Sequence, residues 1–220
     1  MDLERAARRV VEYPSISWRD VMWLPEDLSY SGSSFVDFDV DDTLHDFGLT
    51  YYNGASKLVI YDPELPDVVV KIPFQGISYH GDDKQFFTGA MNGEWDYLYD
   101  EEQFYELARC ERLEHMFCGT QFLCYLNDYP IYVQEKAEDY LPHTKVSKES
   151  HDSAENTSDW WLSCDMEEAT IALFYETYGK EDVDRLLEFL VDNRIRDCHD
   201  ENVGTVNGLV RLFDYSGYYG

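Results

Sequence analysis

The stretch RDCHDENVGTVNGLVRLFDYSG, residues 196–217, combines a strong turn signal with a dense set of oxygen-bearing side chains. Asn207-Gly208 stands between two short apolar runs, and this dipeptide favours the type I′ turn of a β-hairpin because both turn residues need positive φ. Pairing around that turn places Asn202 opposite Phe213, with Asp214 one residue further along. The pattern predicts that an amide and a carboxylate meet at the open end of a hairpin. Oxygen ligands of this kind suit Mg²⁺, although an acidic hairpin with solvated carboxylates is the plain alternative.

Three strand-like runs lie further upstream, within residues 48–74. They read GLTYY, KLVIY and VVVKIPF, and the turn-forming segments NGAS and DPELPD separate them. This order predicts an antiparallel meander. The third run carries Lys71 among apolar residues, where a lysine is costly unless its charge is used. The alternative is a lysine at a solvent-facing strand position.

The remaining pattern is a mixture of helices and strands. Apolar residues at helical spacing predict helices at 2–12, 100–117, 165–178 and 181–193. Asp100 is the predicted N-cap of the second helix. QFLCYL and PIYVQEKA predict two more strands, and the polar segment 142–159 predicts a mobile loop.

Two motifs in this order resemble the loops of a known superfamily. The first is Asp197-Cys-His-Asp-Glu-Asn202, and after the hairpin comes Asp214-Tyr-Ser-Gly217. Their spacing is similar to the catalytic and metal-binding loops of the protein-kinase-like superfamily, which includes the aminoglycoside and choline phosphotransferases. The strand Val68–Ile72 resembles the lysine strand of the same superfamily. The resemblance covers roughly residues 46–217.

The resemblance implies a role for each matching residue. Asp197 would be the base that orients an acceptor hydroxyl, and Asn202 and Asp214 would bind the magnesium of ATP. Lys71 would hold the phosphates, with Glu101 as its helix partner. Glu102 and Glu106 are rivals for that place. The implied nucleotide-binding residues are Lys71, Gly54 and Ser56 for the phosphates, and Gln134, Glu135 and Ala137 for the adenine.

The sequence departs from the superfamily pattern at several positions. Gly54 is the only glycine in a phosphate-covering loop that usually has three. Ile195 stands where a histidine is common, and Tyr215-Ser216 replaces Phe-Gly after the metal-binding aspartate. Little chain follows Gly217, so the substrate-binding helices of a full kinase are not expected. This reduction resembles the minimal kinase folds of bacterial effectors and phages.

The expected fold class is therefore α+β, with the two lobes of a protein-kinase-like fold. Residues 1–45 are expected to be an extension packed on the domain. Residues 46–137 would form an N-lobe with a five-strand antiparallel sheet and one helix. Residues 138–220 would form a reduced helical C-lobe that carries the loop 142–159 and the catalytic hairpin.

A second motif points to another enzyme class. The segment FDVDDTL, residues 38–44, matches the Asp-x-Asp-x-Thr signature of haloacid-dehalogenase-like phosphatases, in which the first aspartate is a nucleophile. That family needs a buried parallel strand before the motif and alternating strands and helices after it. A meander follows here instead, which favours an acidic run that leads into the first strand.

The charge of the chain limits its partners. There are 17 basic and 45 acidic residues, a net charge of −28, and such a surface repels nucleic acids and anionic membranes. Direct contact with either is not expected. The excess acid serves solubility or adaptation to salt, or it mimics a nucleic-acid backbone and docks on a basic partner.

Composition also indicates a cellular compartment. Five cysteines without a CxxC motif predict free thiols in a reducing environment rather than disulfides or a zinc site. The chain has no apolar run long enough to span a membrane and no apolar signal-peptide region near its start. The expected location is the cytoplasm of a bacterium or of an infected or targeted host cell.

Two functions follow as hypotheses. The first is an ATP/Mg²⁺-dependent phosphotransferase, with a protein as the expected acceptor. The second is a catalytically weak, pseudokinase-like scaffold whose acidic surface binds and inhibits a basic, nucleic-acid-handling partner. A phage or mobile-element inhibitor would act in this second way.

Overall fold

The protein is a mixed α+β structure, seen in a computed structural model. The structure describes residues 1–14, 21–25, 32–36, 38–53, 57–73, 75–80, 83–88, 96–126, 129–139, 166, 168–195 and 198–215. Two compact units divide the chain. The first comprises Met1–Asp100 and Thr120–Lys136, and the second comprises Glu101–Gly119 and Ala137–Gly220. Glu101–Gly119 thus groups with the C-terminal residues, although the predicted lobe 46–137 included it.

Secondary structure alternates between short strands and helices. The helices are α1 (Leu3–Val10), α2 (Phe38–Asp46), α3 (Asp96–Cys110), α4 (Glu168–Tyr178) and α5 (Lys180–Asp192), with 3₁₀ turns at Glu114–Met116 and Asp200–Asn202. The strands are β1 (Val21–Pro25), β2 (Gly32–Val36), β3 (Thr50–Asn53), β4 (Lys57–Tyr61), β5 (Val68–Pro73), β6 (Gln75–His80), β7 (Asp83–Thr88), β8 (Thr120–Leu126), β9 (Tyr129–Glu135), β10 (Glu138–Asp139), β11 (Val203–Val206) and β12 (Leu209–Leu212).

A five-strand antiparallel sheet organises the first unit. Its strand order is β3-β4-β5-β9-β8, which confirms the predicted meander and the two strands after it. Successive residues of a strand point to opposite faces, so one face carries the apolar residues of a single core. These residues are Leu58, Ile60, Val68, Val70, Ile72, Ile131 and Val133.

Helix α1 packs into the same core. The side chain of Asp2 accepts a hydrogen bond from the Arg5 amide at 3.0 Å and so caps the first turn. Ala6 and Val10 are fully buried and belong to the cluster that contains Leu58. The predicted amphipathic helix therefore forms, and its apolar stripe covers part of the sheet.

A buried carboxylate ties the end of this helix to the turn after β4. Asp62 Oδ2 accepts hydrogen bonds from Arg9 Nε at 2.6 Å and from the Tyr13 hydroxyl at 3.0 Å, and Asp62 Oδ1 accepts from the Glu64 amide at 2.8 Å. The Arg9 guanidinium also lies 4.6 Å from the centroid of the Phe47 ring. Three hydrogen-bond donors thus replace the water that the buried Asp62 carboxylate has lost, as burial of a charge requires.

A second sheet in the first unit was not predicted. Its order is β2-β1-β6-β7, with β1 and β6 parallel and the other pairs antiparallel. The FDVDDTL segment lies entirely within α2, rather than at the end of a buried parallel strand. This placement argues against the phosphatase alternative, and it puts a helix where an acidic run into the first strand was expected.

Helix α3 differs from its predicted bounds of 100–117. It begins at Asp96, so Asp100 lies inside the helix and is not the N-cap. It ends at Cys110 because Arg112 adopts a φ of 63° and the Leu113 amide bonds to the Ala108 carbonyl at 2.7 Å. Glycine usually occupies this left-handed position after a helix. Because arginine stands there instead, the sequence gives no signal for the end of α3.

The second unit has a hydrophobic core of its own. Helices α4 and α5 form close to their predicted bounds and contribute buried residues to this core. The strands β11 and β12 add further apolar side chains, and the 3₁₀ turn after α3 adds Met116. The members with no measurable exposure include Met116, Phe117, Phe174, Leu186, Leu190, Leu212 and Tyr215.

Candidate functional site

The C-terminal hairpin has the predicted register. Val203 pairs with Leu212 and Val206 with Leu209, as pairing around Asn207-Gly208 requires. The φ angles of those two turn residues are 54° and 77°, which is the signature of a type I′ turn. Phe213 continues the pairing by one step, because its amide donates to the Asn202 carbonyl at 2.9 Å.

Asn202 and Asp214 therefore lie at the same end of the hairpin. Asn202 is 9% exposed and closes the 3₁₀ turn Asp200–Asn202, where its amide donates to the His199 carbonyl at 2.9 Å. Its side-chain Nδ2 is 3.3 Å from His199 Nε2. The structure thus brings the two predicted magnesium ligands to neighbouring backbone positions.

The backbone of Asp214 is unusual. Its φ of 55° lies in the left-handed region, which glycine enters freely and aspartate more readily than most other residues. Such conformations cost free energy and cluster at functional sites, where surrounding contacts hold them in place. The residues on both sides of Asp214 supply those contacts here.

Tyr215 is the stronger of these two anchors. Its side chain is fully buried, its hydroxyl donates to the Cys118 carbonyl at 2.8 Å, and its ring meets Phe117 edge-on at 5.0 Å. The Cys118 amide in turn donates to the Leu212 carbonyl at 2.7 Å. Asp214 therefore sits between two residues that are fixed by hydrogen bonds. The resemblance gave no role to this tyrosine, and its hydroxyl explains why tyrosine suits the position.

Lys71 lies in the middle of the five-strand sheet. It stands opposite Val59 of β4 and Tyr132 of β9, on the face turned away from the hydrophobic core of the first unit. Its side chain is only 2% exposed. The alternative of a solvent-facing lysine is therefore wrong.

Burial separates the three candidate glutamates of α3. Glu101 is 0% exposed, in the same helical row as Leu98 and Ala108. Glu102 and Glu106 are partly exposed, and Glu106 Oε1 pairs with Arg109 at 2.8 Å. Burying a carboxylate costs free energy unless the carboxylate is paired or hydrogen-bonded. Among the three glutamates, Glu101 is therefore the one whose burial calls for such a partner.

The residues predicted to receive adenine occupy different environments. Gln134 is buried in β9 and its Nε2 donates to Thr120 Oγ1 at 2.7 Å, so this donor is used inside the sheet. Glu135 ends β9 and is partly exposed. Ala137 packs against β11 so closely that a Cβ on Gly204 would come within 2.7 Å of the alanine Cβ.

Three of the predicted site residues lie outside the described part of the chain. They are Asp197, Gly54 and Ser56, and the loop 142–159 lies outside it as well. Among the described residues, no group of three or more histidine, cysteine, aspartate and glutamate side chains is arranged to hold a metal ion. Magnesium in nucleotide sites needs only one or two protein carboxylates, since phosphate oxygens and waters complete its shell.

Sequence reasoning missed one buried cation. Lys57 begins β4 and is 4% exposed, but in the sequence it reads as the end of the turn segment NGASK. Strand alternation gives only the direction of its side chain, because Leu58 and Ile60 face the core and Lys57 must face the other way. The burial of Lys57 has no signal in the local sequence.

Comparison of the chain with protein-family models, with curated proteins and with solved structures found no match. In the described part of the chain, no helix combines the length and apolar character that crossing a membrane requires.

Proposed function

We propose that the protein is an ATP/Mg²⁺-dependent phosphotransferase with a protein acceptor, and that its two units correspond to the lobes of a reduced protein-kinase-like fold. The observation that supports this function most strongly is the open end of the hairpin. Asn202 and Asp214 are held there by the Phe213 hydrogen bond, and Asp214 keeps a left-handed backbone. An amide oxygen and a carboxylate in such a fixed relation suit a nucleotide-bound Mg²⁺.

Two buried charges add support. Lys71 and Glu101 are almost completely removed from water, which folded proteins tolerate where the charge is paired or used. In a phosphotransferase, Lys71 binds the phosphates and Glu101 orients the lysine. A fixed cation lowers the barrier when it meets the negative charge that develops on the phosphate oxygens in the transition state.

The remaining roles rest on the sequence motif. Asp197 receives or orients the acceptor hydroxyl, five residues before Asn202. Gly54 and Ser56 donate to the phosphates from the loop before β4, and Glu135 and Ala137 border the adenine. Each of these roles is the one that the protein-kinase-like motifs assign to the position that the residue occupies.

Removing the charge of Lys71 tests the nucleotide site. Lys71→Met should weaken MgATP binding about thirtyfold, because charge-assisted hydrogen bonds to phosphate contribute about 1.5–3 kcal/mol. Calorimetric titration measures the affinity, and transfer of the labelled γ-phosphate to proteins of a cell lysate measures activity. Lys180→Met is the matched control, since it removes the same charge from an exposed position on α5.

Two results would contradict the proposal. A folded wild-type protein that neither binds MgATP nor transfers phosphate is not a phosphotransferase. If Lys71→Met binds MgATP as tightly as Lys180→Met does, Lys71 has no part in nucleotide binding.

The charge of −28 favours a second candidate function. An acidic scaffold would bind a basic, nucleic-acid-handling protein through long-range attraction, which salt screens. Pull-down from a lysate at increasing salt should then release that partner progressively, and the Lys71→Met variant should capture it as well as the wild type. Capture that needs both MgATP and Lys71 would instead identify a kinase substrate.

A further inference from the structure

Two buried lysines share one face of the five-strand sheet. Lys57 of β4 is 4% exposed and Lys71 of β5 is 2% exposed. Lys57 stands opposite Pro73 and Lys71 stands opposite Val59. Residues directly opposite each other, and residues two apart on a strand, point to the same face. Both ammonium groups therefore leave the sheet on the side turned away from the core that contains Leu58 and Ile72.

The two lysines are diagonal neighbours in the ladder. Positions related in this way lie about 7–8 Å apart in an antiparallel pair, which long lysine side chains easily span. A single anionic group with several oxygens can therefore meet both ammonium groups. A chain of phosphates has this size and charge distribution, whereas one carboxylate offers only two oxygens at a single point.

Around Lys71, this face is buried without being part of an apolar core. Val69, Tyr132, Gln134 and Thr120 flank Lys71 on the same side of β5, β9 and β8, and all four are buried. Of the hydrophobic clusters that the described residues form, neither includes Val69 or Tyr132. Gln134 and Thr120 hydrogen-bond to each other in this layer, and the two lysines are its groups that suit an anionic occupant.

We propose that Lys57 is a second cationic contact for the polyphosphate group of the nucleotide, acting beside Lys71 on the same sheet face. This inference rests on the proposed phosphotransferase function for the identity of the nucleotide, but its chemistry requires only a polyphosphate anion. Lys57 would share the negative charge of the phosphates with Lys71.

Calorimetric titration with two probes tests the role of Lys57. MgATP and inorganic tripolyphosphate are titrated into the wild type, Lys57→Met, Lys71→Met and the exposed control Lys180→Met. Lys57→Met should bind both probes about tenfold more weakly than the control, because one charge-assisted contact is lost. The thermal midpoint without ligand confirms that each variant is folded.

The outcomes separate the two proposals. If Lys71→Met loses MgATP binding and Lys57→Met binds like the control, the Lys57 inference is overturned and the phosphotransferase proposal stands. If tripolyphosphate binding depends on Lys57 but MgATP does not bind, the anion site stands and the nucleotide function fails. If neither probe binds the folded wild type, both proposals are wrong.

A measurement on the unmodified protein covers the case in which Lys57→Met does not fold. With ¹³C at the lysine Cε carbons, the signals of Lys57 and Lys71 should both shift when tripolyphosphate is added, and Lys57→Arg assigns the first of them. A Lys57 signal that stays fixed while the Lys71 signal moves overturns the inference.

Discussion

Asp214→Ala is expected to lower phosphate transfer by about a thousandfold while leaving the fold intact. A magnesium ion contributes several kcal/mol to the stabilisation of a phosphoryl-transfer transition state, and each 1.36 kcal/mol corresponds to about a factor of ten in rate. Alanine removes the carboxylate that would hold the ion. The rate of γ-phosphate transfer at saturating MgATP measures the effect.

Glu201→Gln is the matched control for this variant. Glu201 belongs to the same hairpin base, but its side chain is exposed, so the substitution removes one negative charge without touching the predicted ligands. Its rate should equal that of the wild type. If Asp214→Ala and Glu201→Gln transfer phosphate equally well, Asp214 is not a magnesium ligand and the left-handed backbone at this position has another cause.

Of the proposed variants, Asp62→Ala should lower the free energy of unfolding most. The Asp62 side chain is 0% exposed and that of Arg9 is 14% exposed, and removing one member of a buried ion pair leaves the other charge uncompensated. Such deletions cost about 3–5 kcal/mol. Urea unfolding followed by circular dichroism at neutral pH measures the free energy of unfolding.

Glu12→Gln provides the comparison for Asp62→Ala. Glu12 also pairs with Arg9, at 3.2 Å, but its side chain is 63% exposed, and exposed pairs contribute little. Its stability should be close to that of the wild type. Equal stabilities for Asp62→Ala and Glu12→Gln would show that α1 is held by apolar packing alone.

The same network makes stability depend on pH in a defined direction. Burial alone would raise the pKa of Asp62, but hydrogen bonds from Arg9, from the Glu64 amide and from Tyr13 outweigh it and hold the pKa below the ordinary value of 3.8. A depressed pKa contributes stability that is complete above the unfolded value and disappears as the pH falls through the folded one. The difference in unfolding free energy between wild type and Asp62→Asn should therefore shrink below about pH 3.8. The difference is the proper readout, because protonation also relieves repulsion among the many other acids.

The sequence predicted local features best. Asn207-Gly208 defines its own turn, and the register of β11 with β12 follows from it without help from the rest of the chain. The strand carrying Lys71 was predictable for a similar reason, since its apolar run is bounded by turns. Both elements are specified by residues close to one another in the sequence.

Features that depend on packing were harder to predict. The end of α3 is fixed by Arg112 in a left-handed conformation, and arginine is not a sequence signal for that conformation. The β1–β6 parallel pair joins segments far apart in the chain, which no local pattern reveals. Burial of Lys57 depends on what covers the second face of the sheet, and strand periodicity alone does not report that.

The locality of the hairpin also has a consequence for the order of folding. Hairpins with a two-residue turn close within microseconds, whereas pairing of distant strands must first overcome the entropy of closing a long loop. Val203 and Leu212 meet across such a turn, while the pairing of Val70 with Val133 must close a long loop that includes α3. The segment with Asn202 and Asp214 can therefore take shape early in the collapse of its unit. The pairing of β5 with β9 comes later, so variants that slow long-range pairing are expected to accumulate molecules with a formed hairpin but without the β9 strand beside Lys71.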